Sequence, residues 1–200
     1  MLDPRFVFLA AVIDFAGVSV YAFDTLRGHT KPNRVTWFLW ALVPLITFFA
    51  QLSEGVGLSA VLTFTVALGP LLILLASFLN KQSYWKVTKF DLACGAISVL
   101  ALTLWAITKD GLAGIILSLV ADFMAGLPTI IKAFRYPETE YANAYLAGIF
   151  SSGLTILTIH FWNLSTVAFP AYLLVMCVMF FTLIKFPKFR PARSSLASRP

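Results

Sequence analysis

Charged residues are scarce in this sequence, and so are cysteine and histidine. Asp, Glu, Lys and Arg make up 12% of the 200 residues, about half the share found in a typical soluble domain. There are two cysteines and two histidines, and neither Cys94 nor Cys177 has a CxxC spacing or a histidine cluster near it. We therefore expect no metal site and no cofactor. Both cysteines are expected to be buried, reduced thiols that pack as small apolar side chains.

Long apolar stretches take the place of the missing charges. Apolar residues make up 60% of the chain, and its mean hydropathy is +0.87. A helix needs about 20 mainly apolar residues to cross a membrane, and seven stretches approach that length. They lie near residues 6 to 25, 35 to 52, 56 to 79, 92 to 108, 112 to 131, 141 to 159 and 167 to 184. The pattern predicts an all-α, polytopic membrane protein with seven transmembrane helices, because runs this uniformly apolar lack the alternation of a transmembrane barrel.

The basic residues are concentrated on one side of these predicted helices. Of the 15 Lys and Arg residues, all but Arg5 and Lys109 fall in the loops after helices one, three and five or in the C-terminal tail. By the positive-inside rule, the N-terminus lies outside and the C-terminus in the cytoplasm, in the cell (inner) membrane. The net charge of +6 thus indicates membrane lipids, and not nucleic acid, as partners. The basic tail, residues 187–200, is predicted to be disordered.

Two aspartates interrupt the apolar stretches. Asp14 lies in the first predicted helix and Asp122 in the fifth, and each is followed by a phenylalanine. An ionised carboxylate within the membrane costs a few kcal/mol or more without a partner, so such a residue is a candidate for a functional site. A carboxyl group that can change its protonation state is what a proton-coupled carrier needs. The alternative is that both are neutral, bond to Ser19, Ser118 or threonines of adjacent helices, and hold the bundle together.

Shifting the chain by 108 residues places Asp14 on Asp122 and reveals an internal repeat. Residues 12 to 50 then align without a gap with five identities. The identical pairs are Val12 and Val120, Asp14 and Asp122, Phe15 and Phe123, Arg27 and Arg135, and Thr47 and Thr155. A fourth helix between the two copies lets them run in the same direction, as parallel repeats require. The predicted division is 1–80 for the first three-helix bundle, 81–110 for a loop and the linker helix, 111–186 for the second bundle and 187–200 for the tail.

Two segments at the predicted helix ends resemble a known family. Pro128, Thr129 and Lys132 precede a basic loop at Arg135, and RGHTKPNRVTWFLW after the first helix has the form of a basic loop followed by an aromatic helix. With the arrangement of three helices, one helix and three helices, this resembles the PQ-loop superfamily of SWEET-type and cystinosin-like carriers. The resemblance implies a secondary carrier or facilitator of a small polar solute, working by alternating access. It also implies hinge prolines at Pro44 and Pro128.

Three further residues complete the predicted substrate- or proton-binding set around Asp14 and Asp122. These are Trp40, Thr47 and Thr155. Interfacial anchoring is the simpler explanation for Trp40, as for Trp37 and Trp162, because all three lie near predicted helix ends. Trp40 is nevertheless a turn deeper than Trp37 and could reach a central cavity.

Charged residues at the cytoplasmic ends of the first and fifth predicted helices form a candidate gate. They are Asp24, Arg27, Lys132 and Arg135. Asp24 can pair with basic residues there, although a plain cytoplasmic turn or a contact with anionic lipids explains the same residues.

Two other functions remain open. A structural or assembly subunit without transport of its own needs no sharp motif, and the chain has none. An intramembrane aspartyl protease also uses two membrane aspartates, but its GxGD signature is absent, and we do not expect an enzyme. The sequence identifies neither the solute, nor proton coupling, nor the oligomeric state.

Overall fold

The computed structural model describes residues 2–80, 82, 85–108 and 110–186. Within these residues the chain is helical and contains no strand, which confirms the predicted all-α class. The helices are α1 (Phe6–Arg27), α2 (Arg34–Ser53), α3 (Ala60–Leu79), α4 (Lys89–Thr108), α5 (Gly111–Arg135), α6 (Ala142–Thr158) and α7 (Leu164–Lys185), with short 3-10 turns at Gly57–Ser59 and Pro137–Thr139. Each end lies within four residues of its predicted position. The tail predicted to be disordered lies outside the described residues.

Polar residues at the helix ends account for several of these boundaries. The side chains of Asn33, Asp110 and Asn163 accept hydrogen bonds from backbone N–H groups in the first turns of α2, α5 and α7. Such caps satisfy donors that a helix leaves without a partner. At the end of α1, Gly28 has φ +85°, a left-handed conformation that glycine adopts without strain.

Six of the described helices are long and apolar enough to cross a membrane: α1, α2, α3 with its preceding turn, α4, α5 and α7. The remaining helix, α6, has 17 residues and is about 25 Å long at 1.5 Å per residue, the lower end of the length required. The fold is therefore compatible with an integral membrane protein.

The outer surface of the bundle is apolar and part of its interior is polar. Every helix exposes large apolar side chains, for example Val12, Phe49 and Val175 at 65%, 57% and 67% exposure. Asp14 and Asp122 are buried. A soluble monomer rarely exposes apolar surface so extensively, whereas a bundle surrounded by lipid tails does.

Helices α1 to α3, taken as a first group, and α5 to α7, taken as a second, make similar contacts. In the first group α3 contacts both α1 and α2, and in the second α7 contacts both α5 and α6. Across the groups α1 packs against α6 and α2 against α5, while α4 lies against α5 and α2. The approach of α1 to α6 is close because Gly17 has no side chain, and a Cβ there would overlap the Cβ of Ala147.

Loops from both groups meet at one end of the bundle, which we call the basic end and define by residues 28–33, 85–88 and 136–141. The backbone N–H of Lys31 donates to the carbonyl of Thr139 at 3.0 Å, and that of Trp85 donates to the carbonyl of Pro32 at 3.1 Å. The loops 54–59 and 159–163 define the opposite end. The basic end coincides with the side predicted to be cytoplasmic.

Candidate functional site

A cavity lies in the centre of the bundle, and both membrane aspartates line it. Six helices contribute to its wall, all except α4, with Asp14 from α1 and Asp122 from α5. The centres of water-sized spheres can occupy about 90 Å³ of it, which is room for several water molecules. Apart from the two aspartates, its wall is mostly apolar and aromatic.

The two aspartates lie at the same distance from the ends of their helices, as the 108-residue spacing predicts. Asp14 precedes Arg27, the last residue of α1, by 13 residues, and Asp122 precedes Arg135, the last residue of α5, by the same number. At 1.5 Å per residue each is about 20 Å from the basic end of its helix.

Asp14 is buried with one of its two carboxyl oxygens unpaired. The hydroxyl of Ser151 on α6 donates to Oδ1 at 3.5 Å, the outer limit for a hydrogen bond. Oδ2 has no hydrogen-bond partner, and the residue is only 5% exposed. A buried acceptor without a partner is costly, so a proton or a bound donor on this oxygen would be stabilising.

Asp122 is better supported by its neighbours than Asp14. The hydroxyl of Tyr172 on α7 donates to its Oδ2 at 2.7 Å, and the indole N–H of Trp40 donates to its backbone carbonyl at 3.3 Å. Neither aspartate bonds to Ser19 or Ser118, the serine partners expected under the structural alternative. Their partners are instead Ser151, which donates to Asp14, and Tyr172, which donates to Asp122. Neither partner was predicted from the sequence.

Aromatic rings form the wall of the cavity toward the basic end. Trp37 and Trp40 pack edge to face with their centroids 5.2 Å apart, Trp40 packs on Phe180 at 5.6 Å, and Phe180 stacks on Tyr145 at 4.6 Å. Trp37 and Trp40 are 4% and 9% exposed, so the prediction that they anchor the chain at the membrane surface was wrong. They point into the bundle, and Trp40 reaches the cavity.

The two predicted hinge prolines lie in different places. Pro44 lines the cavity, as does Pro70 on α3. Proline lacks the N–H that would bond the carbonyl four residues earlier, here the carbonyls of Trp40 and Val66, and both of those residues line the cavity. Pro128 lies instead in a separate cleft at the basic end, beside Lys132. The hinge role of Pro44 and Pro128 stays a prediction.

A buried ion pair lies at the basic end. Lys132 Nζ is 2.5 Å from a carboxylate oxygen of Glu140, and both side chains are almost fully buried. The hydroxyls of Tyr21 and Tyr145 donate to the other oxygen of Glu140 at 2.8 and 3.1 Å, and Lys132 also donates to the carbonyl of Lys31. We call these four side chains, Tyr21, Lys132, Glu140 and Tyr145, the Glu140 cluster. Since Tyr145 also lines the cavity, the cluster lies directly beside it.

Of the predicted gate residues, only Lys132 takes part in the Glu140 cluster. Asp24 lies 3.6 Å from the ring of His29, and the guanidinium of Arg27 lies 4.0 Å above the ring of Phe23. Arg135 is exposed. Glu140, which bonds to the other three side chains of the cluster, was not predicted as a site residue because its loop has the sequence of a solvated turn.

The predicted threonine pair is buried but does not line the cavity. Thr47 and Thr155 donate to the carbonyls of Val43 and Ser151, each one turn earlier in the same helix, at 2.9 Å. Cys94 and Cys177 are free and buried, as predicted, and Cys177 lines the cavity. Among the described residues no group of three or more His, Cys, Asp or Glu side chains could hold a metal ion.

Gly148 gives a direct test of how tightly α6 and α7 pack around the cavity. A Cβ at this position would overlap the sulfur of Cys177, so Gly148→Ala should lower the free energy of unfolding by about 1–3 kcal/mol through overpacking. Adding Cys177→Ala should recover most of this loss. The matched control is Gly153→Ala on the same helix, where a Cβ meets nothing within 4 Å. Thermal unfolding in detergent measures all four proteins, and equal effects at both glycines would contradict the packing.

No protein-family model matches the chain, and no curated protein or solved structure is significantly similar to it. The geometry of the chain defines a helical protein, compatible with membrane insertion, that has a central acidic cavity.

Proposed function

We propose that this protein is a multi-pass membrane protein and a secondary carrier of a small polar solute, working by alternating access around the central cavity. The observation that carries the proposal is that Asp14 and Asp122, from α1 and α5, line one cavity to which six helices contribute. Carriers built from repeated bundles place their substrate and coupling-ion sites near mid-membrane where the repeats meet. An acid in such a place is a natural site for a proton or a cationic group.

Helix packing supports an arrangement of two three-helix repeats with α4 as the linker. Exchanging α1 with α5, α2 with α6 and α3 with α7 converts each contact of the first group into a contact of the second. The same exchange converts the packing of α1 on α6 into that of α5 on α2, which is also present. Two groups related in this way can rock against each other about a shared site, and α4 lies outside the exchange.

The contacts of the Glu140 cluster are those expected of a carrier whose cavity is closed toward the basic end. The cluster joins α1, α5 and the start of α6, and it links Lys132 to the loop between α1 and α2 through the carbonyl of Lys31. These contacts connect the two proposed repeats beside the cavity. In the proposed cycle they break when the cavity opens toward the basic end, the side predicted to be cytoplasmic.

Alternating access can be tested without knowing the solute, because Cys177 lines the cavity and Cys94 does not. In the Cys94→Ser variant, a membrane-impermeant cationic methanethiosulfonate should label Cys177 from either face of the membrane, using right-side-out and inverted vesicles. The Cys177→Ser variant, which keeps Cys94, should stay unlabelled from both faces. Mass spectrometry of the intact protein gives the labelled fraction over time.

A structural subunit would give a different labelling result. Its cavity would be sealed from one face at least, so Cys177 would react from one face only or from neither. Either result would remove the alternating-access proposal, while labelling from both faces supports it.

A further inference from the structure

We propose that the cavity binds a small organic amine that is protonated at neutral pH and carries no carboxylate, with its ammonium group on Asp14 and its apolar body against the aromatic wall. This substrate class rests on the proposed carrier function. It specifies the small polar solute as a cation with an apolar body.

The charge of the wall favours a cation. Asp14 and Asp122 line the cavity, and among the described residues of its wall there is no Lys, Arg or His. Lys132, the buried cation of the Glu140 cluster, is already paired with Glu140. An anionic group in the cavity would therefore face two carboxyl groups with no counter-charge, which is strongly unfavourable where the dielectric constant is low.

Asp14 provides the point of attachment. Its Oδ2 lies within the bundle with no hydrogen-bond partner, and Ser151 approaches only Oδ1. A charge-assisted N–H···O bond is about twice as strong as a neutral one, so an ammonium donor would satisfy this oxygen fully. Asp122, whose Oδ2 is occupied by Tyr172, adds a second carboxyl group on the opposite repeat.

The rest of the wall suits an ammonium group with an apolar substituent. Trp37, Trp40, Tyr145, Phe169, Tyr172 and Phe180 all line the cavity. Cations are attracted to the faces of such rings. Trp40 and Val66, whose carbonyls lose the hydrogen bond that a residue other than proline at positions 44 and 70 would donate, also line the cavity.

These features also exclude two common classes of solute. A zwitterionic amino acid would bring a carboxylate, and the described residues of the wall offer it no cationic partner. A sugar would need several hydroxyl partners, while Asp14, Asp122, Tyr145 and Tyr172 are the few polar side chains that the described part of the chain places on this wall, besides the indoles and the Cys177 thiol. The cavity, with about 90 Å³ for water-sized spheres, fits a compact ligand.

Ligand-dependent thermal unfolding of the purified full chain tests the inference by binding alone. Benzylamine should raise Tm saturably, by about 3 °C or more at tenfold excess over its Kd. Benzyl alcohol, phenylalanine and glucose should give no saturable rise. Asp14→Asn should lose the response to benzylamine, while Glu138→Gln, which removes an exposed carboxylate at the basic end, should keep it.

Equal responses to benzylamine and benzyl alcohol in the wild-type protein would overturn the inference, even if Asp14→Asn did not fold. So would a full response in a folded Asp14→Asn protein. The outcome is separable from that of the carrier proposal. If Cys177 is labelled from both faces but benzylamine does not raise Tm, the amine inference fails and the carrier proposal stands. If benzylamine raises Tm but Cys177 is not labelled from both faces, the protein binds amines and does not transport them.

Discussion

Uptake into proteoliposomes is expected to fall about 10- to 100-fold when either Asp14 or Asp122 is replaced by asparagine, because hydrogen bonds to charged groups contribute about 1.5–3 kcal/mol. Asparagine keeps the shape of the side chain and removes its ability to carry a charge or to release a proton. The measurement is initial uptake under an inward proton gradient, from a panel of radiolabelled amines, amino acids and sugars. The comparison uses the solute that the wild-type protein carries fastest.

Two controls separate a functional carboxyl group from one that only holds helices together. Glu138→Gln makes the same carboxylate-to-amide change at an exposed position and should leave uptake unchanged. Tyr172→Phe removes the 2.7 Å hydrogen bond to Asp122 but keeps the carboxyl group, so it should retain far more uptake than Asp122→Asn. If Tyr172→Phe and Asp122→Asn lost the same uptake and the same thermal stability, Asp122 would have a structural role.

Asp14 has fewer and longer hydrogen bonds than Asp122, so a structural role explains it less well than a functional one. Its nearest hydrogen bond, from Ser151, is 3.5 Å long, and its second oxygen is unpaired. Asp14→Asn should therefore unfold no more readily than the wild-type protein, because little native hydrogen bonding is lost. A stable Asp14→Asn protein with wild-type, proton-dependent uptake would leave this carboxyl group without a function in transport.

The features that depend on position along the chain were predictable from the sequence. The helix ends followed from the lengths of the apolar stretches, which predicted each end to within four residues. The equal distance of Asp14 and Asp122 from the ends of their helices followed from the 108-residue spacing, because each residue of a helix adds 1.5 Å along its axis. Burial of Cys94 and Cys177 followed from their place inside apolar runs.

The features that depend on direction around a helix axis were not predictable in this way. Trp37 and Trp40 have the depth of interfacial anchors, but depth does not say whether a ring faces lipid or the bundle. Thr47 and Thr155 match in the two repeats, yet their hydroxyls bond to their own helices. Tyr172 was missed because α7 is apolar on nearly every side, so no polar stripe in its sequence shows which face meets α5.

The Glu140 cluster shows a further limit, because its partners are far apart in sequence. Tyr21 precedes Glu140 by 119 residues, and nothing local to the 3-10 turn at Pro137–Thr139 indicates that the next carboxylate is buried. Only the packing of α1, α5 and α6 brings Tyr21, Lys132 and Tyr145 to it. Without that packing, Lys132 and Glu140 would be predicted to be solvated charges.

Lys132→Gln is expected to cause the largest loss of stability of any change considered. Its ammonium group and the Glu140 carboxylate are buried together, with their side chains 1% and 0% exposed. Removing one charge leaves the other uncompensated in the interior, which typically costs about 3–5 kcal/mol. The free energy of unfolding, measured with increasing denaturing detergent in mixed micelles, should fall by that amount. Arg135→Gln, an equal loss of charge one turn later at an exposed position of the same helix, should change it by less than about 0.5 kcal/mol.

The double variant Lys132→Gln with Glu140→Gln distinguishes an ion pair from simple packing. With both charges removed, two amides of similar size remain, and Tyr21 and Tyr145 can still donate to the oxygen at position 140. Stability should therefore recover by more than half, because the cost of the single variant lies in the unpaired charge and not in a lost contact. Additive losses in the double variant would mean that the pair does not act as a unit.

The same double variant tests whether the cluster also closes the cavity toward the basic end. Neutral groups hold α1, α5 and α6 together less strongly than the buried pair does. Cys177 should therefore be labelled from that face faster in the double variant than in the wild-type protein.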